Sequence, residues 1–97
     1  MSNKRSKTTT DSGEETKVYH QRYLNAMNNP LRRKILRVLN NGKTSFEDLT
    51  IKTGLDKFAL EWHLSILENG FCVEKESHNG KLFYRLTQEG KVVNFIK

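Results

Sequence analysis

"TGLDKFALEWHLSILENGF", residues 53–71, reads as one helix with a turn before it and a stop after it. Asp56 stands where an N-cap belongs, and Leu60, Leu64 and Leu67 recur at the spacing that lines one helical face. Phe58 and Trp62, one turn apart, then point away from that face. A buried stripe explains the leucines. It does not explain why the chain's single tryptophan sits on the outer side.

The residues before the stretch supply its context. "SFEDLTIKT" (45–53) opens with Ser45 and places Asp48 three residues later, a capping-box spacing. Phe46 and Leu49 give it an apolar face, so two short helices flank "TGLD" with helix-turn-helix spacing. Further upstream, "NNPLRRKILRVLNNG" (28–42) predicts a helix capped by Asn29, with Pro30 at its first position and Gly42 as its stop. Its inward stripe reads Leu31, Ile35, Val38 and Leu39. Val18, Tyr19, Tyr23, Leu24 and Met27 predict one more helix before it. Residues 1–16, rich in Lys, Ser and Thr, predict a disordered tail and carry no apolar segment of the signal-peptide kind.

After Gly70 the apolar period changes from helical to alternating. "FCVEKE" and "LFYRL" read as strands, with Asn79-Gly80 between them as a hairpin turn. Val92, Val93, Phe95 and Ile96 close the chain as an apolar helix. The expected fold is mainly α with a small two-stranded antiparallel wing. Helices fall at about 18–28, 30–41, 45–53, 56–69 and 88–96, and strands at about 71–77 and 81–87. The 97 residues make one domain, 17–97, behind the tail.

Net charge is +6, and all of the excess falls between residues 17 and 55. There Lys17, Arg22, Arg32, Arg33, Lys34, Arg37, Lys43 and Lys52 face only Glu47 and Asp48. A basic concentration of this kind fits a polyanion partner and fits ordinary solvated helix faces equally well. Apolar runs are too short for a membrane span. One cysteine, Cys72, excludes an internal disulfide and fits a reducing, cytoplasmic compartment. Cys72, His20, His63 and His78 lack zinc-ligand spacing, so no metal or cofactor is expected. Neither a phosphate-binding glycine loop nor a nucleophile–base pair is present in the sequence, so no enzyme is expected.

"NPLRRKILRVL", "FEDLTIKTGLDKFALEWHLSILENGF" and "NGKLFYRLTQEGK" together resemble the ArsR-type winged helix-turn-helix transcription regulators and their archaeal relatives. The resemblance runs from about residue 23 to residue 93. It implies sequence-specific double-stranded DNA binding by a homodimer, usually for repression. One departure is local: Glu68 and Asn69 alone separate Leu67 from Gly70, where the family usually has three residues. The cysteine pairs and His/Asp sets of its metal-sensing members are missing.

In such a fold the helix over 56–69 enters the major groove, with Lys57, Phe58, Glu61, Trp62 and Ser65 outward. Lys57 can reach phosphate or guanine, Glu61 the cytosine amino group, Phe58 a thymine methyl, and Trp62 offers an indole donor. Trp62 reads equally well as core, and His63 reads as a structural hydrogen-bonding residue. Arg32, Arg33, Lys43, Thr44 and Ser45 are the expected backbone contacts, and His78, Asn79 and Lys81 those of the wing. Lys4, Arg5 and Lys7 are a weaker candidate for a minor-groove arm. Tyr19, Tyr23, Met27, Val92, Phe95 and Ile96 form the expected dimer surface. The competing reading is a winged-helix protein-interaction module without specific DNA binding.

Overall fold

The computed structural model describes residues 9–95, with side chains from Lys17 onward. Lys4, Arg5, Lys7 and Ile96 lie outside the described residues. The elements run α1 (Thr9–Met27), α2 (Pro30–Leu39), β1 (Thr44–Ser45), α3 (Phe46–Thr53), α4 (Lys57–Asn69), β2 (Val73–His78), β3 (Lys81–Leu86) and a 3-10 helix (Gly90–Phe95). α1 begins nine residues ahead of the start that its apolar period predicts. The last helix is shorter and tighter than expected.

The starts of α2, α3 and α4 are each fixed by a cap. The Asn29 side chain accepts from the N–H groups of Leu31 (2.9 Å) and Arg32 (3.1 Å), with Pro30 behind it. Ser45 accepts from Asp48 N–H at 3.1 Å and Asp56 from Ala59 N–H at 2.9 Å. Between α3 and α4, Gly54 turns the chain with φ +74°, a conformation that costs glycine little. Helix-turn-helix geometry follows from these local choices.

The sheet has one strand more than expected. β1, two residues long, pairs antiparallel with β3 through Thr44–Tyr84 and Ser45–Phe83, giving the order β1-β3-β2. Asn79 and Gly80, at φ +53° and +77°, make the two-residue turn of the wing. The core gathers Ala26, Met27, Ile35, Leu36, Leu39, Leu49, Leu60, Leu64, Leu67, Cys72, Val73, Tyr84 and Val93.

α2 is rotated relative to its expected stripe. Leu31 is 43% exposed, while Arg32, Ile35, Leu36 and Leu39 face inward at spacings of three and four. A charged residue holds the first inward position, so hydrophobicity alone misplaces the face.

The exit from α4 explains the missing residue before Gly70. Phe71 N–H donates to the Glu68 carbonyl and Cys72 N–H to the Leu67 carbonyl, the bond pair of a Schellman stop. The left-handed position in that stop normally takes glycine. Here it falls on Phe71, at φ +65°, which costs about 1–2 kcal/mol. Gly70, one place earlier, is needed for a different reason: a Cβ there would sit 2.6 Å from the Ala26 Cβ and 2.9 Å from the Arg22 carbonyl. Tyr19 packs edge-on against Phe71, ring centres 5.1 Å apart.

Candidate nucleic-acid interface

α4 carries two unlike faces. Leu60, His63, Leu64 and Leu67 are buried, whereas Lys57, Phe58, Glu61, Trp62 and Ser65 are all exposed. Phe58 is 85% exposed and Trp62 60%, so neither ring is core. The Ser65 hydroxyl donates to the Trp62 carbonyl at 2.7 Å. Ile51 on α3, which the sequence reading passed over, is a further large exposed apolar side chain.

Below Trp62 lies the most unusual side chain in the molecule. Arg32 is 5% exposed. Its Nε donates to the Ala26 carbonyl and its Nη2 to the Asn25 carbonyl, both at 2.9 Å. Its Nη1 meets Nδ1 of His63 at 3.1 Å. Arg33 adds a bond from Nη1 to the Met27 carbonyl at 2.9 Å. The two arginines therefore cap the C-terminus of α1, whose last carbonyls lack helical partners. Arg32 is withdrawn from the surface and cannot clamp phosphate, and the half-buried Arg33 is directed to the same helix end. The guanidinium of Arg32 also stands 5.8 Å from the Trp62 ring centre.

A guanidinium only donates, so His63 must accept through Nδ1 and keep its proton on Nε2. Burial first, and the Arg32 charge second, lower the His63 pKa from its usual 6.5. The unfolded chain thus takes up this proton at higher pH than the folded one. Stability is complete above pH 6.5 and falls as acid is added below it, by at most about 1.4 kcal/mol per pH unit for one proton. Urea unfolding between pH 7 and pH 5 is expected to show this decline, and His63→Gln, which keeps an acceptor for Arg32, is expected to flatten it.

The other expected backbone contacts divide. Thr44 and Ser45 are buried, Thr44 donating to the Gly42 carbonyl at 2.9 Å and Ser45 serving as the α3 cap. Their side chains are engaged inside the fold, which corrects their assignment as phosphate contacts. Lys43 is exposed, 3.8 Å from Glu76 and above the Phe83 ring. On the wing, Asn79 and Lys81 are exposed, and Nε2 of His78 lies 2.8 Å from Glu76. That hydrogen bond is the main reason the Glu76 carboxyl sits below its usual range, with Lys43 and Arg85 adding to it.

A groove between α4 and the wing is lined by Glu47, Glu61 and Glu68 together with Lys75, Lys81 and Tyr84. Burial first, then Glu68 and Glu61, raise the pKa of Tyr84. Lys52 near the end of α3 and Lys57 at the start of α4, on either side of the turn, are both exposed.

The residues expected at a dimer surface differ in exposure. Tyr19, Val92 and Phe95 are exposed, joined by Val18 and Leu24. Tyr23 is half-buried, its hydroxyl donating to the Glu89 carbonyl at 3.3 Å. Met27 belongs to the monomer core and is not available to a partner. Cys72 is buried, its thiol pushed up to about 11 by burial and by Glu89, which leaves it a poor nucleophile. Among the described residues no His, Cys, Asp or Glu group is placed to hold a metal, and no helix is long and apolar enough to cross a membrane.

The sequence profile described as "Bacterial regulatory protein, arsR family" matches residues 29–70. Among solved structures, NolR from Sinorhizobium fredii is 26% identical with a TM-score of 0.74, over 94% of this chain and 92% of that one. The transcriptional repressor BigR from Xylella fastidiosa is 24% identical with a TM-score of 0.71, over 92% and 93%. A homodimeric winged helix-turn-helix DNA-binding domain from Mycobacterium bovis is 20% identical with a TM-score of 0.77, over 96% and 86%. The last two share the fold. The search of curated proteins gives no match.

Proposed function

We propose that this chain is an ArsR-like winged helix-turn-helix regulator of transcription and that its surface engages DNA as follows. As a homodimer it lays α4 of each protomer in successive major grooves, about 34 Å apart. The wing tip, His78 to Lys81, rests on the flanking backbone or minor groove. Lys43, Lys52, Lys57 and Lys81 make the phosphate contacts. Val18, Tyr19, Val92 and Phe95 join the two copies. Its action is binding without catalysis, in the cytoplasm, with repression the expected outcome. The observation that carries this reading is the exposed outer face of α4, Lys57 to Ser65, on a helix whose other side is fully sealed.

Selection of bound duplexes from a random pool tests it. The expected result is a two-fold consensus whose half-sites are one helical turn apart. Affinity should fall with salt by about 0.9 log units per log salt for each phosphate contacted. Failure to enrich any duplex, together with salt-independent association, would overturn the proposal and favour a protein partner for this surface.

A further inference from the structure

We propose that Phe58 and Trp62 are the specificity-determining residues of this regulator, each reading the C5-methyl group of a thymine in the major groove. The inference rests on the DNA-binding reading above and names what that reading selects. Folding does not account for these rings: Phe58 is 85% exposed and Trp62 60%, with polar residues around them. In the major groove the apolar feature that distinguishes a base edge is the thymine methyl.

The rest of the face offers little competing chemistry. Arginine, asparagine and glutamine, the side chains that bond a base edge through two atoms, do not occur among its outward residues Lys57, Phe58, Glu61, Trp62 and Ser65. Lys57 is a point charge. The Ser65 hydroxyl proton is committed to the Trp62 carbonyl. Glu61, between the two rings, only accepts when ionised, so it tolerates an adenine or cytosine amino group and repels the guanine acceptors.

Geometry supports a paired readout. Residues four apart rise about 6 Å along a helix, close to two base steps of about 3.4 Å each. Both rings lie in the first two turns of α4, the part of a recognition helix that meets base edges. Trp62 is also steadied by the Arg32 guanidinium, 5.8 Å from its ring centre, and by the His63 ring, whose centre is 5.1 Å away.

The test replaces each thymine of a selected duplex, one at a time, by deoxyuridine, which removes only the methyl. Two thymines per half-site, about two steps apart, are expected to lose about fourfold in affinity, the equivalent of about 0.8 kcal/mol for one buried methyl group. Phe58→Ala should abolish the thymine preference at one of them and Trp62→Ala at the other. Circular dichroism of each variant reports folding, and Trp62→Gln, which removes the ring but keeps a long side chain, serves if Trp62→Ala disturbs it. Uracil tolerated at every position of a duplex that still binds would overturn the methyl readout and leave DNA binding standing. A thymine preference that survives both substitutions would overturn the assignment to these residues. If no duplex is selected, both proposals fail.

Discussion

Arg32→Ala is expected to lower the unfolding free energy by about 2–4 kcal/mol, a large share of the stability of a domain this small. The substitution leaves the carbonyls of Asn25 and Ala26 and the Nδ1 of His63 without their donor, and opens a void among α1, α2 and α4. Arg32→Lys should recover little, because a single ammonium cannot reach three acceptors in a fixed fork. Lys34→Ala, two residues on and exposed, should stay within about 0.5 kcal/mol. Urea unfolding of the three variants separates the outcomes. A loss below about 1 kcal/mol for Arg32→Ala would mean that water replaces the guanidinium at the helix end.

Gly90→Ala is expected to cost about 1–3 kcal/mol for overpacking. A Cβ at this position overlaps the Cys72 carbonyl and comes within 2.8 Å of the Leu86 side chain. The Leu86 methyl can shift, but the backbone contact cannot give easily: the carbonyl accepts from Thr87 N–H at 3.0 Å, and Gly90 N–H is held by the Thr87 hydroxyl at 3.0 Å. That same hydroxyl donates to the Phe71 carbonyl at 2.6 Å. The "LTQEG" segment is thus a knot that ties the base of the wing to the end of α4. Thermal unfolding should register the change as roughly 4–8 °C per kcal/mol. Gln88→Ala, exposed within the same segment, should leave the midpoint nearly unmoved.

Most of the fold is visible in local chemistry. Asn29, Ser45 and Asp56 announce three helix starts, Gly54 the turn, and Asn79-Gly80 the hairpin, because caps and tight turns depend on residues adjacent in sequence. The outward set on α4 is legible for the same reason: Leu60, Leu64 and Leu67 fix which side is buried, and Phe58 and Trp62 follow. What is hidden depends on distant partners. Nothing near Arg32 in sequence reveals that its guanidinium ends between the carbonyls of α1 and a histidine of α4. A charge count therefore assigns it to DNA, and the stripe of α2 is read one step away from its true face. Thr44 and Ser45 look like anion contacts until β1 pairs them with β3. Met27 looks spare until the core that needs it is assembled.

One consequence follows from the end of α4. Positions 70 and 71 each favour glycine, the first for lack of room against α1 and the second for its backbone twist. The shortened connection holds one glycine, and it serves the crowded site. The linker therefore has no slack, and Tyr19 leaning on Phe71 helps to keep the costly conformation in place. The first helix thus bears on the entry to the hairpin, and displacing α1 would remove one of the wing's anchors while the Thr87 bonds and the β1–β3 pairing keep the others.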